Sequence, residues 1–255
     1  MSWADSLVIL AIIALGSYVQ TLTGFAFGLI VVGSITLLGL APIEFTAFVV
    51  STLSLFNSLI AVWGYQRQVR WRWLLVILLS CVPFTVLGIW LLTHLGQQQA
   101  SVLELLLGLS IIGCSGMMLL RPEPSKRESS ASAFALSGGL AGLMGGLFGT
   151  FGPPVAYLMY RQPALLDGIR ATLQALFCMT SILRIALALG AQQLDGQSYW
   201  ISLLGIPVVI VATLLGRRYQ PPLSDSWMRR LAFGLLLLTG CSLSLSALVS
   251  VGLAD

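Results

Sequence analysis

The sequence predicts an all-α, polytopic membrane protein. Three observations carry that expectation: an excess of apolar residues, the bunching of the few charges between apolar runs, and glycine and proline breaks inside two of those runs. Of the 255 residues, 57% are hydrophobic and 9% charged, and the mean hydropathy is +0.95. A soluble domain carries about a quarter charged residues. No charge falls between Leu7 and Ile43, between Phe45 and Gln66, or between Leu231 and Ala254. A bilayer span needs about 20 mostly apolar residues, and the chain supplies such runs repeatedly. The N-terminal MSWADS lacks Lys and Arg, and the run after it is too long for the core of a secretory signal. A pI near 9.1 could suggest nucleic acid, but the basic residues flank apolar runs rather than forming a stripe. They read as determinants of membrane orientation, and no nucleic-acid partner is expected.

The elements follow in chain order. Residues 7–19 and 25–40 form a first apolar pair, divided by the polar break Gln20-Thr21-Leu22-Thr23-Gly24. Thr23 can cap a helix that restarts at Phe25. Single spans are expected over 45–65, 73–95 and 101–120, the second holding Pro83 and Gly88. The stretch RPEPSKRESS at 121–130, rich in Pro, Ser and charge, reads as a linker. A second pair, 134–148 and 153–160, is divided by GGLFGTFGPP at 145–154. Proline disfavours helix at the residue before it and suits the first turn of a new helix, so a half-helix is expected to restart at Pro153. Spans over 169–190, 199–216 (with Pro207 and Gly216) and 231–250 complete the chain.

The two halves look like copies. Gly24 and Gly28 recur as Gly145 and Gly149, 121 residues later, and Ser51-Thr52-Leu53 recurs as Ala171-Thr172-Leu173 at an offset of 120. A first membrane repeat over 1–120, a cytoplasmic linker over 121–130 and a second repeat over 131–255 are expected. Eight simple spans would place six Lys and Arg residues on each side of the membrane, against the positive-inside rule. If the two divided segments instead enter and return on the same side, all of the 13 Lys and Arg residues except Arg184 become cytoplasmic. The expectation is therefore two inverted repeats, each a broken, re-entrant helical hairpin plus three transmembrane helices, in the inner membrane with both termini outside. Internal repeats of this kind are a common transporter architecture.

Two half-helices that start near the midplane make an anion site, because a helix N-terminus presents unpaired N–H groups and a partial positive charge. Candidate substrate-binding residues at the first break are Thr21, Thr23, Gly24, Phe25 and Gly28. At the second break they are Gly145, Gly146, Gly149, Thr150, Gly152 and Pro153. Packing between helices is the competing reading of the glycines, but packing alone has no need of Pro153-Pro154. Asn57 and Arg184 are the polar candidates from the spans. Arg184 either snorkels to the outer surface or faces the cavity and meets the anion. Ser51, Ser54 and Ser58 share a helical face and either bond neighbouring helices or line a cavity.

Cys81, Cys114, Cys178 and Cys241 stand singly and read as small buried hydrophobes. One histidine, His94 at a span end, offers neither a metal cluster nor a catalytic dyad. No enzyme activity, catalytic residue, cofactor or metal is expected. The partners are a small anion and the bilayer; a homodimer is compatible with this reading and not required by it. The rival class is a membrane scaffold or accessory subunit without transport activity, which would need no broken helices at depth.

TGFAFGLIVV at 23–32 and GGLAGLMGGLFGTFGPPVAYLMY at 138–160, with the Pro-then-Gly third segments, resemble the sulfite exporter TauE/SafE family of bacterial membrane permeases. The resemblance covers nearly the whole chain. It implies a permease or exporter of small sulfur-containing anions, such as sulfite or sulfonates, and related organic acids.

Overall fold

A computed structural model describes residues 3–23, 25–96, 100–119, 125–190 and 196–219, and parts of 234–248. Among these residues the fold is all helical. The helices are α1 (Trp3–Thr23), α2 (Phe27–Leu37), α3 (Ile43–Val62), α4 (Trp71–Gly96), α5 (Ala100–Leu119), α6 (Ala131–Phe148), α7 (Gly152–Tyr160), α8 (Leu166–Gly190) and α9 (Gly196–Arg218), with one 3₁₀ turn at Gln66–Gln68. Six of them, α1, α3, α4, α6, α8 and α9, are long and apolar enough to cross a membrane. A 20-residue helix such as α3 spans about 30 Å, the thickness of the hydrocarbon core.

The burial pattern inverts that of a soluble domain. One stripe of α4, with Leu75, Leu79, Val82, Val86 and Trp90, is exposed, while Ser51, Asn57, Ser58, Thr172, Gln174, Ser181 and Arg184 are buried on α3 and α8. Apolar side chains facing outward are at home only in lipid. The polar residues have been withdrawn into the bundle, where the cost of exposing them to hydrocarbon is avoided. The cysteines follow no single rule: Cys81 is buried, Cys178 partly buried and Cys241 exposed, a position that a weakly polar thiol tolerates in lipid. The side chain of Cys114 lies outside the described residues.

The two divided segments fold as unequal hairpins. A Cβ on Gly16 of α1 would stand 3.0 Å from Val31 and 3.2 Å from Phe27 of α2. Residues fifteen apart along one straight helix lie about 22 Å apart, so α2 doubles back along α1. In the second segment the Ser125 N–H donates to the Arg161 carbonyl at 2.7 Å, and the Ser129 N–H donates to Gln162 Oε1 at 2.9 Å. The end of α7 therefore lies beside the start of α6. In each pair the first arm is near span length and the second is short: α6 has 18 residues and α7 has 9. The expected restarts shift accordingly. α1 continues through Thr23 and α2 begins at Phe27 behind Ala26, so Thr23 ends a helix instead of capping one that starts at Phe25. The hydroxyl of Thr21 explains the longer helix, since it donates to the Ser17 carbonyl of its own helix at 2.9 Å and does not compete with the helix.

α4 packs along α6, α9 along α1, and α3 against α8. The α4–α6 contact is a glycine seam. Cβ atoms on Gly138, Gly142 or Gly146 would run into the backbone of Ile77, Cys81 or Thr85 and Gly88, respectively. Small residues at every fourth position let helix backbones approach closely, the usual source of attraction between helices in lipid. Pro83 and Pro207 sit inside α4 and α9 without ending either helix.

The basic segments gather at one end of the bundle. The Arg70 N–H donates to Thr172 Oγ1 at 3.0 Å, and Arg217 Nη1 donates to the Ile60 carbonyl at 3.1 Å. With the 125–162 pairing above, these bonds bring residues 66–72, 125–130, 161–170 and 217–219 together. Arg121, Arg229 and Arg230 lie outside the described residues.

Candidate functional site: the meeting of two helix breaks

The second break is built from its local sequence. α6 ends at Gly149, whose φ of 72° is left-handed, and the Gly149 N–H returns to the Gly145 carbonyl at 2.9 Å. Glycine adopts this conformation at no steric cost. A side chain there would also meet the Ala47 carbonyl of α3 at 2.7 Å. α7 starts at once with Gly152, Pro153 and Pro154 behind Phe151, and no side chain caps it. Proline carries no N–H, so only Phe151 and Gly152 can donate from the four positions that a helix N-terminus leaves unpaired. The start of α2 also has no capping side chain, and its four free positions, Ala26 to Leu29, all keep their donors.

The two uncapped ends meet. A Cβ on Gly28 would stand 2.8 Å from Thr150 Cγ2, and one on Gly152 would stand 3.0 Å from the Phe25 carbonyl. Between them lies a cavity of about 20 Å³, lined by Gln20, Phe25, Gly28, Ser54, Gly149, Thr150, Phe151, Gly152 and Phe177. That volume admits about one water molecule.

The buried polar side chains divide into two sets. Ser51, Thr172 and Thr180 donate to the carbonyl four residues earlier in their own helix. This back-bonding satisfies them without any partner helix or ligand. In contrast, Gln20 Nε2 and Thr150 Oγ1 have no hydrogen-bond partner, although the two residues are 2% and 4% exposed. An unpaired buried polar group costs about 1–3 kcal/mol, and both residues line the same cavity. Donors held unpaired beside two helix N-termini are chemically suited to donate hydrogen bonds to a negatively charged group.

Arg184 does not reach the outer surface. It is 3% exposed. Its Nε donates to the Gly145 carbonyl at 2.8 Å, Nη2 to the Gly146 carbonyl at 3.1 Å, and Nη1 to Ser51 Oγ at 3.4 Å. The guanidinium thus adds a second bond to the Gly145 carbonyl, which already accepts from the Gly149 N–H, and bonds the Gly146 carbonyl as well; its charge opposes the negative end of α6.

Of the sequence candidates, Phe25, Gly28, Gly149, Thr150 and Gly152 are brought to the central cavity. Pro153 is buried in the first turn of α7 beside it. Gly145 lies under the Phe151 ring and Gly146 in the α4 seam, so both serve packing. Thr21 lines a separate cavity with Arg170 and Arg217. Asn57 is fully buried with neither amide atom bonded and lines neither cavity. Gly24 lies outside the described residues, as does the side chain of Thr23. Sequence reasoning missed Gln20, Phe151 and Phe177. Gln20 opens the polar break before Gly24 and was legible there, whereas Phe177 is indistinguishable from any apolar residue of α8.

Comparison with known proteins agrees with this architecture. Residues 8–243 match the family described as sulfite exporter TauE/SafE. A protein of Cupriavidus necator named "Probable sulfite/organosulfonate exporter TauE" is 39% identical over 238 residues, 93% of each chain. One of Comamonas testosteroni named "Probable inner membrane transporter protein TsaS" is 29% identical over 179 residues, 70% of this chain and 74% of its own. No solved structure matches the chain. With a family match across nearly its whole length, joined to an all-helical bundle of span-length apolar helices, the chain belongs to the sulfite exporter TauE/SafE family of membrane transporters, which are not enzymes.

Proposed function

We propose that the protein carries a small sulfur-containing anion, sulfite or a short-chain sulfonate, across the cytoplasmic membrane, binding it between the N-terminal ends of α2 and α7. The observation that carries this reading is the pair of uncapped helix starts facing each other across Gly28 and Thr150. Gln20 and Thr150 hold unpaired donors in the gap. The name of the Cupriavidus relative points to the same substrate class, and that of the Comamonas relative to transport across the inner membrane. A scaffold would have no need of two helices that start inside the bundle.

In this reading residues 1–120 and 131–255 are two inverted repeats, the hairpins α1–α2 and α6–α7 are re-entrant, and both termini are external. Packing of α4 on α6 and of α9 on α1 supports an exchange of equivalent elements between the halves. Arg184 acts through the end of α6, holding Thr150 and Gly152 in place. The central cavity takes about one water molecule, so a sulfonate enters only when α2 and α7 part. Rocking of one repeat against the other around a fixed site would do this.

The test is flux in proteoliposomes reconstituted with the purified chain. Sulfite or a short alkylsulfonate should move in protein-containing vesicles and should raise the melting temperature of the detergent-solubilised protein. Absence of both effects across sulfite, sulfonates and short carboxylates would return the chain to the scaffold class.

A further inference from the structure

The central cavity stands on a longer polar seam between α3 and α8. The helices run antiparallel, and matched positions at helical spacing face each other from Ser51 to Ala61 on α3 and from Arg184 to Gln174 on α8. Ser51 meets Arg184 near one end. Ser54 and Phe177 share the central cavity. Ala61 and Gln174 share a second cavity of about 190 Å³. The second cavity lies at the basic end of the bundle, and its charged lining is Asp167, Arg170 and Arg217.

The two cavities are in series. Gln20 and Thr21, adjacent in α1, line one each, and so do Phe177 and Gln174, which are one turn apart in α8. Between Ser54 and Ala61 on α3 stands Ser58, fully buried with its hydroxyl unpartnered. A buried polar atom without a partner is costly in a closed protein, and it is of use where a hydrated or oxyanionic solute passes.

We propose that the α3–α8 seam is the substrate's route from the basic end, and that the larger cavity is a second anion site which captures sulfite or a short sulfonate through Arg170 and Arg217. This inference rests on the anion-transport reading above. Two guanidinium groups against one carboxylate leave the recess positive. A charged recess with low-dielectric walls concentrates counter-ions and raises their arrival rate by about 10-fold or more. Arg217 is held at the rim by its bond to the Ile60 carbonyl, so its charge stays over the cavity. The volume of about 190 Å³ takes a small anion that the central cavity cannot hold as it stands.

The experiment uses Ala61→Cys in a chain whose Cys81, Cys114, Cys178 and Cys241 are replaced by alanine. The probes are 2-sulfonatoethyl methanethiosulfonate, itself a short sulfonate, and the trimethylammonium reagent of similar size. Relative to their rates with a free thiol, the sulfonate should label the thiol of Ala61→Cys about tenfold faster than the cation. Excess methanesulfonate, which does not react with either reagent, should slow that labelling, and Arg170→Gln with Arg217→Gln should abolish the preference. Equal rates, or a preference for the cation, overturn the capture site. In the chain with its native cysteines the same two arginine substitutions should raise the KM for sulfite flux about tenfold and leave the maximal rate in place; a wild-type KM also overturns it. Wild-type protein that moves neither sulfite nor a sulfonate defeats the transport reading. Wild-type flux without charge preference in the labelling of Ala61→Cys defeats the capture site alone.

Discussion

Arg184 is a buried charge held by acceptors of the protein itself. Its fork bridges the Gly145 and Gly146 carbonyls and Ser51, three acceptors that a lysine ammonium cannot reach in one geometry. Arg184→Gln should therefore destabilise the protein by about 1.5–3 kcal/mol, the usual worth of hydrogen bonds to a charged group, and Arg184→Lys should recover little of that. Thermal unfolding of the purified variants reads both effects; a wild-type melting temperature in Arg184→Gln would show that the end of α6 holds itself. Thr150 should behave in the opposite way. Its hydroxyl is buried without a partner, so Thr150→Val removes an unsatisfied group at nearly constant volume and should leave stability equal or higher. The same change should lower sulfite affinity about tenfold, a typical worth for one hydrogen bond to an anion. Loss of stability together with unchanged affinity would take Thr150 out of the site. Gly28→Val should leave insertion intact and abolish flux, because its Cβ would stand 2.8 Å from Thr150; wild-type flux at matched expression would exclude a close approach of ligand to this backbone.

At the scale of elements, the glycines of the α6–α7 hairpin separate into two kinds that look alike in sequence. Gly138, Gly142 and Gly146 face α4, while Gly149 turns the chain with a positive φ and Gly152 opens α7 toward the cavity. Gly142→Leu should thus unfold the α4–α6 pair and reduce the yield of folded protein, since its Cβ meets the Cys81 backbone. A monodisperse, wild-type-like chromatographic profile for Gly142→Leu would contradict the seam. The break at GTFGPP was legible because proline and left-handed glycine act locally, whatever surrounds them. The first break was legible only to within a few residues. Thr21 bonds back to Ser17 within an α1 that continues into the polar run as far as Thr23, a choice that threonine propensity alone does not decide.

For the molecule as a whole, charge distribution ties the fold to the membrane. The described Lys and Arg residues other than Arg184 belong to segments that meet at one end of the bundle. In the proposed topology the positive-inside rule turns that end to the cytoplasm and sets both termini outside. Alkaline phosphatase fused after Ser129 should be inactive, and fused after Asp255 it should be active. The reverse pattern at either site would refute the paired-hairpin topology and restore eight simple spans.

Composition, charge spacing and the placement of glycine and proline by themselves determined that the chain is a helical membrane bundle, that two of its segments break, and that its basic segments belong together. Those properties depend on solvent transfer and local backbone chemistry, which each segment carries with it. Only the tertiary structure decided which polar groups are spent and which remain available. Ser51 and Thr172 are satisfied within their own helices, Arg184 is committed to α6, and Gln20 and Thr150 are left facing a cavity. A hydroxyl or amide reads the same in sequence whether or not it has a partner, because that partner is set by how α3 and α8 pack against the two hairpins.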